Sequence, residues 1–264
     1  MKYIAETYQE LIQKGYSYNS VIQKEDNGWK VASVLYQRNY INAPDNIQRI
    51  PKRIHQIWLG SPVPEKYKRF MESWQRFNPT WEYKLWTDDN IDIKLLRPRM
   101  FNEVSNQGMR SDILRYDILQ QLGGVYVDTD FECLKPFDDF LNLDFFTGIS
   151  YDGTFCLYNG LIGCTPKHPI ISACRNDLNL PVNHFNRIKS SAIMSLTGPY
   201  YFTRKFLEYT NKNIRLVVAF PMDFFYPLPN NIKHCKNPYD YVQPASYAIH
   251  HWEVSWLQNI AKGE

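Results

Sequence analysis

No run in this chain approaches the roughly 20 apolar residues that a membrane-spanning helix requires. The opening MKYIAETYQELIQKGY also lacks an apolar core, so neither a secretory leader nor a membrane span is expected. Net charge is small: 30 Lys and Arg against 27 Asp and Glu leave +3, too little to argue for a nucleic-acid partner. The basic cluster Lys66, Lys68 and Arg69 falls on one helix face and reads as solvated surface. The five cysteines are odd in number and include no C-x-x-C pair, so a disulfide or zinc framework is not expected. They read as reduced, buried thiols of a cytoplasmic protein. Repeats and low-complexity tracts are missing as well. What abounds is aromatic: 7 Trp, 19 Tyr and 15 Phe exceed what packing asks for, and ring platforms for bases or sugars are one use of the surplus.

A length of 264 residues suits one α/β domain with additions. Residues 1–49, rich in Tyr, Asn and Gln, read as a partly helical N-terminal extension, with a helix near 3–14. The main domain, 50–264, opens with the apolar strand Ile54–Leu59. Pro64 then starts a helix whose Tyr67, Phe70, Met71, Trp74 and Phe77 share one face. Trp81, Tyr83 and Leu85 alternate with Glu82 and Lys84, marking a second strand. Such a β-α-β unit predicts a Rossmann-like, mostly parallel sheet flanked by helices. A helix over 109–122 follows, then strands at 143–149, 155–163 and 214–220, and helices after Pro169 and Pro199.

The segment Gly123-Gly124-Val125-Tyr126-Val127-Asp128-Thr129-Asp130 is the most informative. A helix ends at the glycine pair, a short apolar strand follows, and two carboxylates stand at its carboxyl end. That edge is where open α/β sheets bind ligands. Carboxylates so placed suit a hard divalent cation that keeps positions free for phosphate oxygens. On the preceding helix, Arg110, Asp117, Gln120 and Gln121 share a polar arc, whereas Asp112 and Arg115 fall beside the apolar arc of Leu114, Ile118, Leu119 and Leu122. Buried charges must be paired or bound. Either Asp112 and Arg115 form an internal ion pair, or both point at a ligand's hydroxyls and phosphate; because this helix leads straight into the Asp-Thr-Asp strand, the second reading is favoured.

With these residues on view, the chain resembles the family 32 glycosyltransferases, and is similar to the glucosyltransferase domains of large clostridial toxins. The resemblance rests on Ile50–Gly60, Arg110–Tyr116, Gly123–Asp130, Lys135-Pro136, Asn159-Gly160, Thr197-Gly198-Pro199, Phe225-Tyr226-Pro227 and the tail from His250-His251-Trp252 to Ser255-Trp256, in order. It implies a GT-A fold, a nucleotide-sugar donor, Mn²⁺ or Mg²⁺, and transfer with retention of configuration. Family frequency points to a UDP-sugar, a UDP-hexose first, with UDP-N-acetylhexosamines and GDP-mannose the other donor types; the acceptor is expected to be a glycan, lipid-linked or protein hydroxyl. By the resemblance, Asp128, Asp130 and His250 (or His251) hold the metal. Asp112 and Arg115 hold the donor hexose, and Asn159 presents a polar group to the reacting sugar. Gln56, Trp58, Tyr126 and Asp128 shape the donor site, and Ser255 and Trp256 contact the diphosphate from a lid over about 250–256. A haloacid-dehalogenase-like phosphatase also uses Asp-x-Asp, but Glu132 stands where that group wants Thr or Val. A non-catalytic sugar- or nucleotide-binding module is the remaining alternative.

Overall fold

A computed structural model describes residues 27–151, 155–180, 190–210 and 215–253. Its centre is a six-stranded sheet in the order β2-β1-β3-β6-β5-β7. The strands are β1 (Arg53–Ile57), β2 (Glu82–Trp86), β3 (Gly124–Val127), β5 (Phe145–Tyr151), β6 (Phe155–Cys164) and β7 (Val217–Phe220). β1 runs parallel to β2 and β3, and β5 parallel to β7; β6 alone is antiparallel to its neighbours β3 and β5. The sheet is therefore mostly parallel. The reversal matters for the site, because it brings the middle of β6, around Asn159–Leu161, against the carboxyl end of β3 through the pair Val127–Leu161.

The helices are α1 (Asn27–Tyr36), α2 (Glu65–Phe77), α3 (Pro98–Glu103), α4 (Gln107–Leu122), α5 (Pro169–Asn176), α6 (Ser190–Leu196), α7 (Pro199–Thr210) and the one-turn α8 (Met222–Phe225). α2 buries Tyr67, Phe70, Met71 and Trp74, as the spacing of its apolar residues requires. α4 is capped by the Asn106 side chain, which accepts from the Met109 amide. It ends at Gly123, whose φ of 62° suits a residue without a Cβ. Gly124, at φ 92°, lets β3 approach β1: a Cβ there would lie 2.7 Å from the Arg53 carbonyl oxygen.

Most of the aromatic surplus packs inward. Phe137, Phe140, Phe146, Phe220, Phe224 and Phe225 are fully buried, and their rings meet largely edge to face. The helical stretch 27–41 joins them, since Tyr36 and Tyr40 set their edges on Phe220 and Phe224. The expected helix at 3–14 lies outside the described residues. Asp117, placed by helical projection on a polar arc, is buried. It accepts from the Leu96 amide and pairs with Arg175 of α5.

Candidate active site

Two short strands, β4 (Phe131–Cys133) and β8 (Ala248–His250), pair antiparallel beside the main sheet. β4 follows directly on Asp130, so the tail of the chain returns to the Asp-Thr-Asp turn. His250 stands opposite Phe131, with the rings stacked at 4.3 Å and 11°. One carboxylate oxygen each from Asp128 and Asp130 and one ring nitrogen of His250 lie within 4.8 Å of one another. His250 Nε2 is 3.0 Å from Asp130 Oδ1, and the Glu253 amide donates to Asp130 Oδ2 at 2.8 Å. His250 Nδ1 is buried without a hydrogen-bond partner.

These residues fit a divalent cation. Two carboxylates and an imidazole offer hard oxygens and one nitrogen, and Nδ1 of that ring has no hydrogen-bond partner in the protein. The Asp128 side chain is 31% exposed, against 10% for Asp130 and 9% for His250, so the group opens on the Asp128 side. The neighbouring His251 points elsewhere, with its Nε2 3.1 Å from Glu132. Of the two histidines, His250 is the one whose ring lies beside the carboxylates.

The two carboxyl groups are held differently. Burial pushes Asp128 up, and nearby Asp130 adds to this, while Arg115 opposes both. Burial acts on Asp130 too, but His250 and the Glu253 amide outweigh it and hold this carboxyl below the usual range.

Behind Asp128 lies a buried polar network. Arg115 rests over the Tyr126 ring at 4.4 Å. Its guanidinium reaches Asp112 Oδ1 at 3.2 Å and Asp128 Oδ1 at 3.3 Å, and donates to the Asn159 and Ser111 carbonyls. Tyr126 donates its hydroxyl to Asp128 Oδ1 at 2.6 Å. Asn159 Nδ2 donates to Asp112 Oδ1 at 2.8 Å and to the Tyr116 hydroxyl at 3.2 Å. The internal Asp112–Arg115 ion pair is thus formed, and it extends into Asp128. One guanidinium thus serves two carboxylates, and neutral donors from Tyr126, Asn159 and Thr197 satisfy further oxygens of the pair.

Sequence reasoning assigned no role to Thr197, whose hydroxyl donates to Asp112 Oδ2 at 2.7 Å, or to Tyr116, which donates to the Thr197 carbonyl. Thr197-Gly198-Pro199 was a visible motif, but its partner lies 85 residues away. Gly160 is explained by space: a Cβ there would stand 2.6 Å from Asp128 Oδ2, while the Gly160 carbonyl accepts from the Asp128 amide.

The remaining expected residues are less tightly joined. Gln56 is wholly buried. It donates to the Asp128 carbonyl at 3.3 Å and accepts from Tyr83 at 2.7 Å, so it orients the Asp128 peptide. Trp58 sits past the end of β1, packed on Tyr67 at 4.7 Å with its Nε1 donating to Ser61. No contact among the described residues ties it to the carboxylates. Ser255 and Trp256 lie outside the described residues. Where the expected lid begins, near 250, His250 is laddered into β8, and Trp252 is buried with its Nε1 donating to the Leu228 carbonyl at 2.7 Å.

A mostly parallel α/β sheet with paired carboxylates at the carboxyl end of β3 is the arrangement of a GT-A type fold. Residues 64–146 match the model of the glycosyltransferase sugar-binding region containing a DXD motif. Over 177 residues the chain is 30% identical to inositol phosphoceramide mannosyltransferase 1 of Schizosaccharomyces pombe, covering 64% of this chain and 54% of that protein. It is 29% identical over 222 residues to the uncharacterized glycosyltransferase L373 of Acanthamoeba polyphaga mimivirus, covering 80% of this chain and 85% of its relative. The PaToxG glycosyltransferase shares the fold, with a TM-score of 0.51 at 22% identity over 69% of this chain and 77% of the other. Residues 64–146 therefore carry the sugar-binding region of the DXD-motif glycosyltransferases, and the relatives that the chain resembles are glycosyltransferases. It spans about half the length of the fission-yeast relative, at 54%. Among the described residues no helix is long and apolar enough to cross a membrane.

Proposed function

We propose that the chain transfers a hexose from a nucleotide-sugar donor to a hydroxyl acceptor, with retention of configuration and with Mn²⁺ or Mg²⁺ held by Asp128, Asp130 and His250. The observation that carries this reading is the convergence of those three side chains at the carboxyl end of β3, backed by the buried Asp112–Arg115–Asn159 network. A divalent cation bound there supplies positive charge to the departing diphosphate.

Asp112, fixed by Thr197, Asn159 and Arg115, has little freedom to reorient, which suits an acceptor of hydrogen bonds from the donor hexose. Arg115 has its donors engaged, so its part is to hold Asp112 and Asp128 in place. In the transfer itself the bond from the anomeric carbon to the diphosphate oxygen breaks, and a bond to the acceptor oxygen forms on the same face. The acceptor proton passes to the departing phosphate oxygen, which removes the need for a strong protein base.

The donor is proposed to be a UDP-hexose, as the family resemblance suggests. A specific observation supports a second reading, GDP-mannose: the fission-yeast relative is named a mannosyltransferase. That name also makes a lipid-linked acceptor one of the classes to test, beside glycans and proteins. Nucleotide release measured over a panel of UDP- and GDP-sugars with Mn²⁺ decides between the bases. The reading expects release that stops with EDTA; release unaffected by chelation overturns the metal assignment.

A further inference from the structure

The two histidines at the end of β8 are adjacent, and side chains alternate along a strand, so a one-residue slip of β8 against β4 would exchange them. β8 has only three residues, paired Phe131–His250, Glu132–Ile249 and Cys133–Ala248. So short a ladder specifies its own register weakly. Contacts on the carboxylate side, such as the His250 stack on Phe131, favour the observed register, and a second set lies on the opposite side.

There, His251 Nε2 stands 3.1 Å from Glu132 Oε2, and the same oxygen accepts the Tyr239 hydroxyl at 2.7 Å. The His251 ring stacks on Phe70 of α2 at 4.2 Å and 16°. The His251 amide also donates to the Asp130 carbonyl at 3.0 Å. The clasp thus ties the end of β8 to β4, to α2 and to the turn Pro238–Tyr241, and none of these contacts is used by the proposed transfer. A slipped strand would lose the stack on Phe70 and the Glu132 contact together. It would also leave the Glu132 carboxylate without its imidazole partner.

We infer that Glu132 and His251 are positioning residues, which lock β8 in the register that presents His250, rather than His251, to the cation site. This inference rests on the metal reading above. Groups that orient a metal ligand act on the metal without touching it, and replacing one typically costs about tenfold to a hundredfold in affinity.

The test is Mn²⁺ affinity of the full chain by isothermal titration calorimetry, with the melting temperature measured without metal alongside. Glu132→Ala and His251→Ala are expected to weaken Mn²⁺ binding roughly tenfold to a hundredfold. Glu132→Gln still accepts from Tyr239 and is expected to recover most of the affinity. Tyr239→Phe removes one hydroxyl from a half-exposed ring, so it folds even if the other variants do not; its expected effect is a smaller weakening in the same direction. Melting temperatures that fall while Mn²⁺ affinity stays at the unaltered value would make the clasp merely structural and overturn the inference. An unaltered protein that binds no Mn²⁺ overturns the metal reading and the inference with it. Binding by the unaltered protein with no effect of any variant overturns the inference alone.

Discussion

At the scale of single residues, Asp128 and Asp130 have the same chemistry and different tasks. Asp130 is nearly enclosed, with one oxygen on His250 and the other on the Glu253 amide, and its carboxyl is held below the usual range. It is the carboxylate whose charge is most secure. Asp130→Asn keeps the shape and the hydrogen-bonding capacity but removes that charge. Metal-dependent transfer is expected to vanish while the unfolding transition is little changed; nucleotide release and circular dichroism melting report the two effects. Asp128 depends on space instead. Gly160→Ala would place a methyl 2.6 Å from Asp128 Oδ2 on a backbone already bonded to the Asp128 amide. The displaced carboxylate should lower kcat about a hundredfold, the usual consequence of a misplacement near 1 Å. Near-normal kcat for Gly160→Ala would show that Asp128 can shift without penalty. A third residue, Thr197, acts on Asp112. Thr197→Val leaves a buried carboxylate short of one donor and is expected to destabilise the protein by about 1–3 kcal/mol in urea unfolding.

At the scale of elements, legibility divides by the range of the interactions. β1, α2 and β2 were readable because the alternation and the 3.6-residue period are local signals, and the structure departs from those boundaries by a residue or two at most places. The Asp-Thr-Asp turn was readable because glycines, an apolar strand and carboxylates follow within eight residues. The antiparallel course of β6 was not readable, since a buried apolar run looks the same in either direction. Asp117 was misplaced for a related reason: Arg175, which justifies its burial, lies 58 residues further on and on another helix. His250 was not separable from His251 until the ladder with β4 fixed the face each presents. The same ladder sharpens the question of the tail. Because His250, Trp252 and the Glu253 amide are anchored, removing residues 254–264 should leave Mn²⁺ binding in place. If Ser255 and Trp256 contact the diphosphate, that truncation should still raise the KM for donor strongly. Loss of Mn²⁺ binding in the truncated chain would show that the tail builds the metal site itself.

For the molecule as a whole, the sheet that carries the site is stapled by one buried imidazole. His55 on β1 accepts from Trp86 Nε1 of β2 at its Nδ1, 3.2 Å away, and its Nε2 donates to the Gly123 carbonyl at 2.9 Å. Three consecutive parts of the fold, β1, β2 and the turn from α4 into β3, therefore meet on a ring that must stay neutral. A proton on Nδ1 would face the Trp86 N–H, and burial lowers the His55 pKa from 6.5 to about 4. In the unfolded chain the same imidazole titrates near its ordinary value. Between those two pH values the unfolded state binds a proton that the native state refuses, so stability is lost as pH falls through that window. A depression of this size corresponds to about 3 kcal/mol once the window has been crossed. Urea unfolding at a series of pH values from 7 to 4 should show the decline. His55→Gln keeps a donor and an acceptor but cannot titrate, so it should start less stable at pH 7 and lose less on acidification. An equal slope for both proteins would mean that the acid sensitivity of the fold lies elsewhere, with buried His168 of the α5 cap, lowered by burial to about 3, as the next group to replace.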